Sequence, residues 1–356
     1  MKIIIAGAYA IGTHLARLLS RSKEDITLID DSEERLASIG SDYDLLTMLG
    51  QPTSLKILQN ADIQDADLFI AVTPLESKNI TSCILAKKLG AKRTVAKVDN
   101  PEYMDQQAQD FFRELGIDKL IYPEMLAAVD INNGLKMSWV RQRWDVHDGA
   151  LIMLGIKLRE TCEILNKPLK DISGPNDPYH VVAIKRGSDT IIPGGYDELK
   201  LYDLAYFMTT RNYIPYIRKI VGKEHYVDVK NVMVMGGGRT AVRAVKKMPE
   251  YMECKIIEKD ENRCEYLNDI LDDNHILIIH GDGRDIPLLT EEGIRSTQAF
   301  VALTGNAETN ILACLTAKRM GVRKTVAAVE NVDYVSMAES LDIGTIINKK
   351  MIAASY

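Results

Sequence analysis

The chain has 356 residues, 46% of them hydrophobic and 26% charged, with a formal net charge of −6. That length allows two or three domains with substantial cores, and the absence of long polar tracts speaks against disorder. The acidic balance speaks against a nucleic-acid binder held by a basic field.

Taken in chain order, residues 2–6 open with a β-branched apolar run, followed by a turn and a helical pattern through Leu19. Met1-Lys2-Ile3-Ile4-Ile5-Ala6 could begin a signal peptide, but His14 and Arg17 interrupt the apolar stretch and no cleavage-like end follows. Strands are predicted at 26–29, 45–49, 68–72 and 94–98, with helices at 32–39 and 79–89. Short apolar strands separated by helices predict a parallel sheet covered on both faces. Between 111 and 144, Leu115, Ile117, Leu120, Ile121, Leu126, Val129, Ile131 and Leu135 form an apolar surface beyond the five predicted strands. Met125, Ala128 and Ile131 lie there at helical spacing, and Trp139 and Trp144 flank Arg141 and Arg143, a composition that suits either core or a protein interface.

The texture then changes. Strands are expected at 150–158, 181–185, 190–192 and 204–209, a short helix at 165–172, and turns at Gly174-Pro175-Asn176-Asp177-Pro178 and Pro193-Gly194-Gly195. Residues 214–230 read as a charged connector. Strands return at 232–235, 255–257, 276–279, 300–303 and 325–329. No run reaches the ~18–20 apolar residues of a membrane-spanning helix. A cytoplasmic protein is expected. Cys83, Cys162, Cys254, Cys264 and Cys314 are scattered and form no C-x-x-C pair, so reduced structural thiols are expected. The six histidines form no H-x-x-x-H or H-E-x-x-H pattern, so no metal site is expected.

The chain repeats itself. AKKLGAKRTVAKVDNPEYM at 86–104 returns as AKRMGVRKTVAAVENVDYV at 317–335, about half the positions identical, and Asn79 corresponds to Asn310 at the same offset of 231. The fold class is therefore α/β: two doubly wound, parallel, Rossmann-like sheets with a small α+β module between them. The expected division is 1–144, 145–213, a linker at 214–230, and 231–356. The second copy ends inside a repeated unit, so a longer natural chain is expected.

Each copy opens on a strand, a glycine turn and a helix. Gly236-Gly237-Gly238-Arg239-Thr240-Ala241 fits G-x-G-x-x-A, with Glu258 at the end of the next strand. Gly236 suits a tight turn, Gly238 close approach of a diphosphate, and Ala241 helix-on-strand packing. The helix start offers N–H groups to phosphate, and the acid suits ribose hydroxyls. The first turn is Gly7-Ala8-Tyr9-Ala10-Ile11-Gly12, with Asp30 as its acid. Tyr9 stands at the second glycine position, so this cradle takes a smaller nucleotide, binds weakly, or stays empty. Arg239 is a candidate phosphate partner, and Lys97 is either that or a solvated lysine. Thr73 and Thr304 follow the fourth strands, where ligands sit in open parallel sheets, or else cap the next helix. Thr53 is a candidate cap of a helix after the Gly50-Gln51-Pro52 turn, and Asp282 is its counterpart in the second copy.

Together the two turns, the acids, the Phe69-Ile70-Ala71-Val72-Thr73…Asn79 block and Ala86-Lys87-Lys88-Leu89-Gly90-Ala91 resemble the RCK (regulator of K+ conductance) family. The duplicated form resembles the regulatory subunits of Trk-type potassium uptake. The resemblance implies NAD(H) or adenine nucleotides (ATP, ADP) as ligands. It implies Gly7, Ala8, Tyr9, Ala10, Ile11, Asp30, Thr73, Pro74 and Lys97 as site residues in copy one, and Gly236, Gly237, Gly238, Arg239, Thr240, Glu258 and Thr304 in copy two. It further implies an exchanged or packed helix between paired lobes, and a homo-oligomer (dimer or tetramer ring) at the inner face of the membrane. That ring would gate a TrkH-type channel subunit. Tyr9, Ala328 in place of Lys97, and the missing second α+β module depart from the pattern.

Three functions compete: a nucleotide-sensing regulator that is no enzyme, an NAD-dependent oxidoreductase, and an oligomerisation scaffold. A dehydrogenase needs an acid or base beside the nicotinamide. His147, beside Asp145 and Asp148, and His180 are the candidates, and neither carries an obvious orienting carboxylate motif.

Overall fold

The computed structural model describes all residues except 23, 40–42, 148, 175–176, 188, 227–228 and 356, so Asp148 and the middle of the 174–178 turn lie outside it. The chain divides into two compact units, Met1–Leu126 with Lys349–Tyr356, and Ala127–Asn348.

In the first, β1 (Lys2–Ala6), α1 (Ala10–Leu19), β2 (Asp25–Asp30), α2 (Glu33–Ala37), β3 (Leu46–Leu49), α3 (Leu55–Asn60), β4 (Leu68–Ala71), α4 (Glu76–Lys88), β5 (Thr94–Lys97), α5 (Gln106–Glu114) and β6 (Lys119–Ile121) follow in order, and α6 (Pro123–Lys136) crosses the division. The strands form one parallel sheet, ordered β3-β2-β1-β4-β5-β6. The order reverses beside β1, so the turns after β1 and β4 open at a topological switch point. Ile4, Ile5, Leu28 and Ile29 are fully buried. That is why these strands read as continuous apolar runs rather than alternating ones. Each such side chain contributes about 1.5–3 kcal/mol on leaving water.

The predicted five strands become six. Residues 119–121 pair with β5, and Ile117, Leu120 and Tyr122 belong to the first core. The apolar stretch after 111 is thus, in large part, interior. Two helix starts also move. Helix α4 begins at Glu76, one turn before Asn79, and α3 is capped by Ser54 rather than Thr53, its hydroxyl accepting from Ile57 N at 3.4 Å.

In the second unit, β7 (Gln142–Val146), β8 (Leu151–Lys157), α7 (Leu169–Ile172), β9 (Tyr179–Arg186), β10 (Asp189–Ile191), β11 (Leu204–Thr209) and α8 (Ile214–Ile220) come first. Their strands make an antiparallel sheet, β10-β9-β11-β8-β7. Strand β7 was not predicted and runs across residue 144. Trp139 is 5% exposed within this module's core, so it is not an interface residue. The predicted helix at 165–172 shortens to α7. The first seven residues of the predicted connector are α8, whose Ile217 and Ile220 join the same core.

There follow β12 (Asn231–Met235), α9 (Arg239–Val245), β13 (Glu253–Glu258), α10 (Glu261–Ile270), β14 (Ile276–His280), α11 (Ile286–Glu291), β15 (Ala299–Ala302), α12 (Ala307–Arg319), β16 (Lys324–Ala328), α13 (Asp333–Ser340), β17 (Thr345–Ile347) and α14 (Lys349–Ser355). The order β14-β13-β12-β15-β16-β17 reproduces that of the first sheet strand for strand. The helix that follows the sixth strand behaves alike in both copies. In the second unit, Asn132 of α6 donates to Ala244 O of α9 at 3.0 Å. In the first unit, α14 packs on α1, with Ala354 against the Ile3–Ile5 core.

Candidate functional site

Both glycine turns fold as sequence spacing requires. Gly7 has φ 109° and Gly236 φ 97°, a region that side chains rarely adopt. A Cβ on Gly7 would also lie 2.9 Å from Thr73 N. Position three of each turn is different. Gly238 has φ −68°, and Tyr9 stands in an ordinary extended conformation at φ −89°. Nothing lies within 4 Å of a Cβ built on Gly238. Glycine there keeps space open in front of the turn, and Tyr9 puts a ring at the matching place.

The acids reach back to the turns. Asp30 Oδ2 accepts from Ala8 N at 2.6 Å, and Glu258 Oε2 accepts from Gly237 N at 2.7 Å. A charged acceptor on a backbone N–H makes a strong bond, and here it fixes the turn relative to the end of the second strand of each sheet.

The first lobe carries a cavity of about 70 Å³ lined by Tyr9, Asp30, Asp31, Pro52, Thr73, Pro74, Leu75 and Lys78. Four of the expected residues therefore meet: Tyr9, Asp30, Thr73 and Pro74. Gly7 and Ala8 form the turn behind them, and Ala10 and Ile11 begin α1. Lys97 does not join; its Nζ lies 2.7 Å from Asp99 Oδ1 and the side chain is only 13% exposed. It is thus neither solvated nor free for phosphate in this state. In the second lobe Thr304 N lies 3.2 Å from the position of a Gly236 Cβ, and Arg239 and Thr240 begin α9.

Thr73 and Thr304 do not cap helices. Thr73 N and Oγ1 both donate to Asn79 Oδ1, at 2.8 and 2.7 Å. Asn79 Nδ2 donates to Thr73 O and Lys97 O at 3.0 and 2.9 Å. Asn310 repeats this with Thr304 and Ala328, its Nδ2 reaching Thr304 O at 2.9 Å and Ala328 O at 2.8 Å. Each asparagine ties the ends of the fourth and fifth strands of its sheet together under the site. Asp282 pairs with its neighbour Arg284.

Sequence reasoning missed the charged frame of the first cavity. Lys78 Nζ lies 2.9 Å from Asp31 and, with Gln51, holds its carboxyl below the usual range. Arg35 pairs with Asp30 at 2.6 Å and with Asp31 at 2.5 Å, and its guanidinium sits 4.3 Å above the Tyr9 ring. A signal existed: Arg35 and Arg263 each follow their lobe's acid by five residues. His180 lies elsewhere, on a cavity of about 250 Å³ lined also by Lys170, Ser173, Gly194 and Gly195 of the antiparallel module. His147 lies in the turn after β7, at φ 49°.

This geometry defines a duplicated Rossmann-like protein with a nucleotide-type cradle in each copy. Residues 3–123 and 232–349 each match the TrkA-N domain, and the chain belongs to that family. It is 29% identical over 361 residues to the Trk system potassium uptake protein TrkA of Haemophilus influenzae, covering all of this chain and 78% of that one. The TrkA homolog of Archaeoglobus fulgidus is 29% identical over 353 residues, covering 99% of this chain and 79% of that one. Among solved structures, the GsuK channel superposes with a TM-score of 0.72 at 15% identity, covering 99% of this chain and 62% of that one. The GsuK channel bound to NAD gives a TM-score of 0.70, also at 15% identity, over 99% of this chain and 62% of that one. At such identities the superpositions speak for fold. No described helix is long and apolar enough to cross a membrane.

Proposed function

We propose that this chain is the nucleotide-sensing regulatory subunit of a Trk-type potassium uptake system. The carrying observation is the pair of glycine turns whose second N–H is held by the acid closing the next strand, Ala8 to Asp30 and Gly237 to Glu258. Such a turn presents helix-start N–H groups to phosphate and the acid to ribose. The ligand is NAD(H) or an adenine nucleotide, ADP or ATP. GsuK has been solved bound to NAD and bound to ADP, and the relatives are named for potassium uptake. The ligand is read rather than transformed: a nucleotide that binds two conformations unequally shifts their balance. That shift passes through a homo-oligomer, dimer or tetramer ring, to a TrkH-type membrane subunit at the cytoplasmic face. In this reading the sheets within 1–144 and 231–356 are the sensing lobes, and the antiparallel module between them, widened from 145–213 by Trp139, β7 and α8, joins the second through the rest of 214–230.

The second lobe is the main site. Native mass spectrometry and titration with ADP and NADH test this. Gly238→Tyr, which the ordinary φ and open space at Gly238 accommodate, and Glu258→Ala are each expected to remove most binding. Unchanged affinity in both variants would overturn the assignment. NADH consumption with no added partner would favour the oxidoreductase reading instead.

A further inference from the structure

The two cradles share a plan but differ in what already occupies the acid. In the first, Asp30 is 2% exposed. Its Oδ2 accepts from Ala8 N, and its Oδ1 accepts from Ser32 N at 2.9 Å and Arg35 Nε at 2.8 Å. The guanidinium is held from two further sides, by the Asp31 carboxylate and by the Tyr9 ring beneath it. In the second lobe the equivalent Arg263 bonds the turn and makes no ion pair with the acid among the described residues. Its Nε donates to Gly237 O at 2.8 Å, and it stacks 4.7 Å over Tyr266. Glu258 accepts from the N–H groups of Gly237 and Asp260, at 2.7 and 3.0 Å.

A ribose diol must donate to this acid to bind. A carboxylate has about four acceptor positions. At Asp30 the N–H groups of Ala8 and Ser32 and two nitrogens of Arg35, the second 2.6 Å from Oδ1, crowd all of them, and a neutral hydroxyl replacing a guanidinium gives up a charge-assisted bond. The Tyr9 ring, absent where Gly238 stands, is the seat that keeps Arg35 in place. Resting on the nucleotide-binding reading above, we propose that Arg35, seated on Tyr9, is an internal occupant of the first cradle. It must leave Asp30 before a nucleotide's ribose can enter, so the first lobe loads at higher nucleotide concentration than the second. One chain then carries two thresholds for the same ligand class, set by a single latch.

Photolabelling of the full chain with 8-azido-ADP over a concentration series, with the labelled peptides mapped to either lobe, tests this. The wild-type chain is expected to label in the second lobe first. Arg35→Gln and, separately, Tyr9→Ala are expected to lower the concentration needed for first-lobe labelling by about tenfold, with the second lobe unchanged. Both positions are partly exposed, and the melting temperature of each variant checks its fold. If both folded variants label the first lobe at the wild-type concentration or above it, the latch is overturned; a higher concentration would mean that Arg35 contacts the ligand. Absence of label from both lobes in every chain is a different result, and it removes the nucleotide reading together with the latch.

Discussion

Asn79 and Asn310 are fully buried, and each satisfies four groups with one amide. Their worth lies in what they spare: without them, two carbonyls and an N–H lose these bonds beneath the cradle, and the hydroxyl donates only to the carbonyl two residues on. Asn79→Ala and Asn310→Ala are each expected to cost roughly 2–4 kcal/mol in urea unfolding, and a loss below about 0.5 kcal/mol would contradict this role. The sequence marked the asparagines as repeated positions and the threonines as strand-end hydroxyls. It could not say that one exists for the other, because the bond spans six residues around a bend whose shape the sheet decides. Lys97 shows the same limit. Its place at the end of a strand was legible, while its capture by Asp99 depends on side-chain direction.

At the scale of elements, pattern found most strands, the three-residue β10 among them, and missed β6, β7 and β17. Three-residue strands such as β6 and β17 carry too few positions to show a period, and pairing with a neighbour defines them. Strand β16 holds a further consequence. Lys324 is 4% exposed, and its Nζ donates to Val140 O at 2.8 Å and to Thr345 Oγ1 at 3.1 Å. Burial, reinforced by Arg141, lowers its pKa from 10.5 to about 7. The unfolded chain therefore binds a proton that the folded chain gives up between those values. Stability should rise with pH from about 7 towards 10.5 and gain nothing from this lysine below that window, by up to about 1.4 kcal/mol per pH unit inside it. Lys324→Met should flatten that rise and stabilise the protein at neutral pH, as read by unfolding at several pH values. Its counterpart in the first copy, Arg93, is exposed.

Across the whole molecule, cysteines report on three separate cores. Cys83 lies in the first sheet's core, Cys162 in the antiparallel module, and Cys314 in the second parallel sheet's core. All five are free and buried, and burial pushes the Cys254 and Cys314 thiols up to about 12. Thiolate is the reactive form. A disulfide reagent should thus find no fast thiol in the native chain and five in denaturant, and one fast native thiol would show that its core is open.

The amino-acid sequence by itself determined the duplication, the α/β class, the positions of both glycine turns and their acids, and the departure at Tyr9. These are local: a period, a spacing or a residue type carries each of them. Tertiary structure alone decided which helix covers which lobe, which lysine is captured, and why two cradles of one design differ. Those outcomes depend on side chains that meet across turns and between strands, where direction and burial, rather than order along the chain, set the energy.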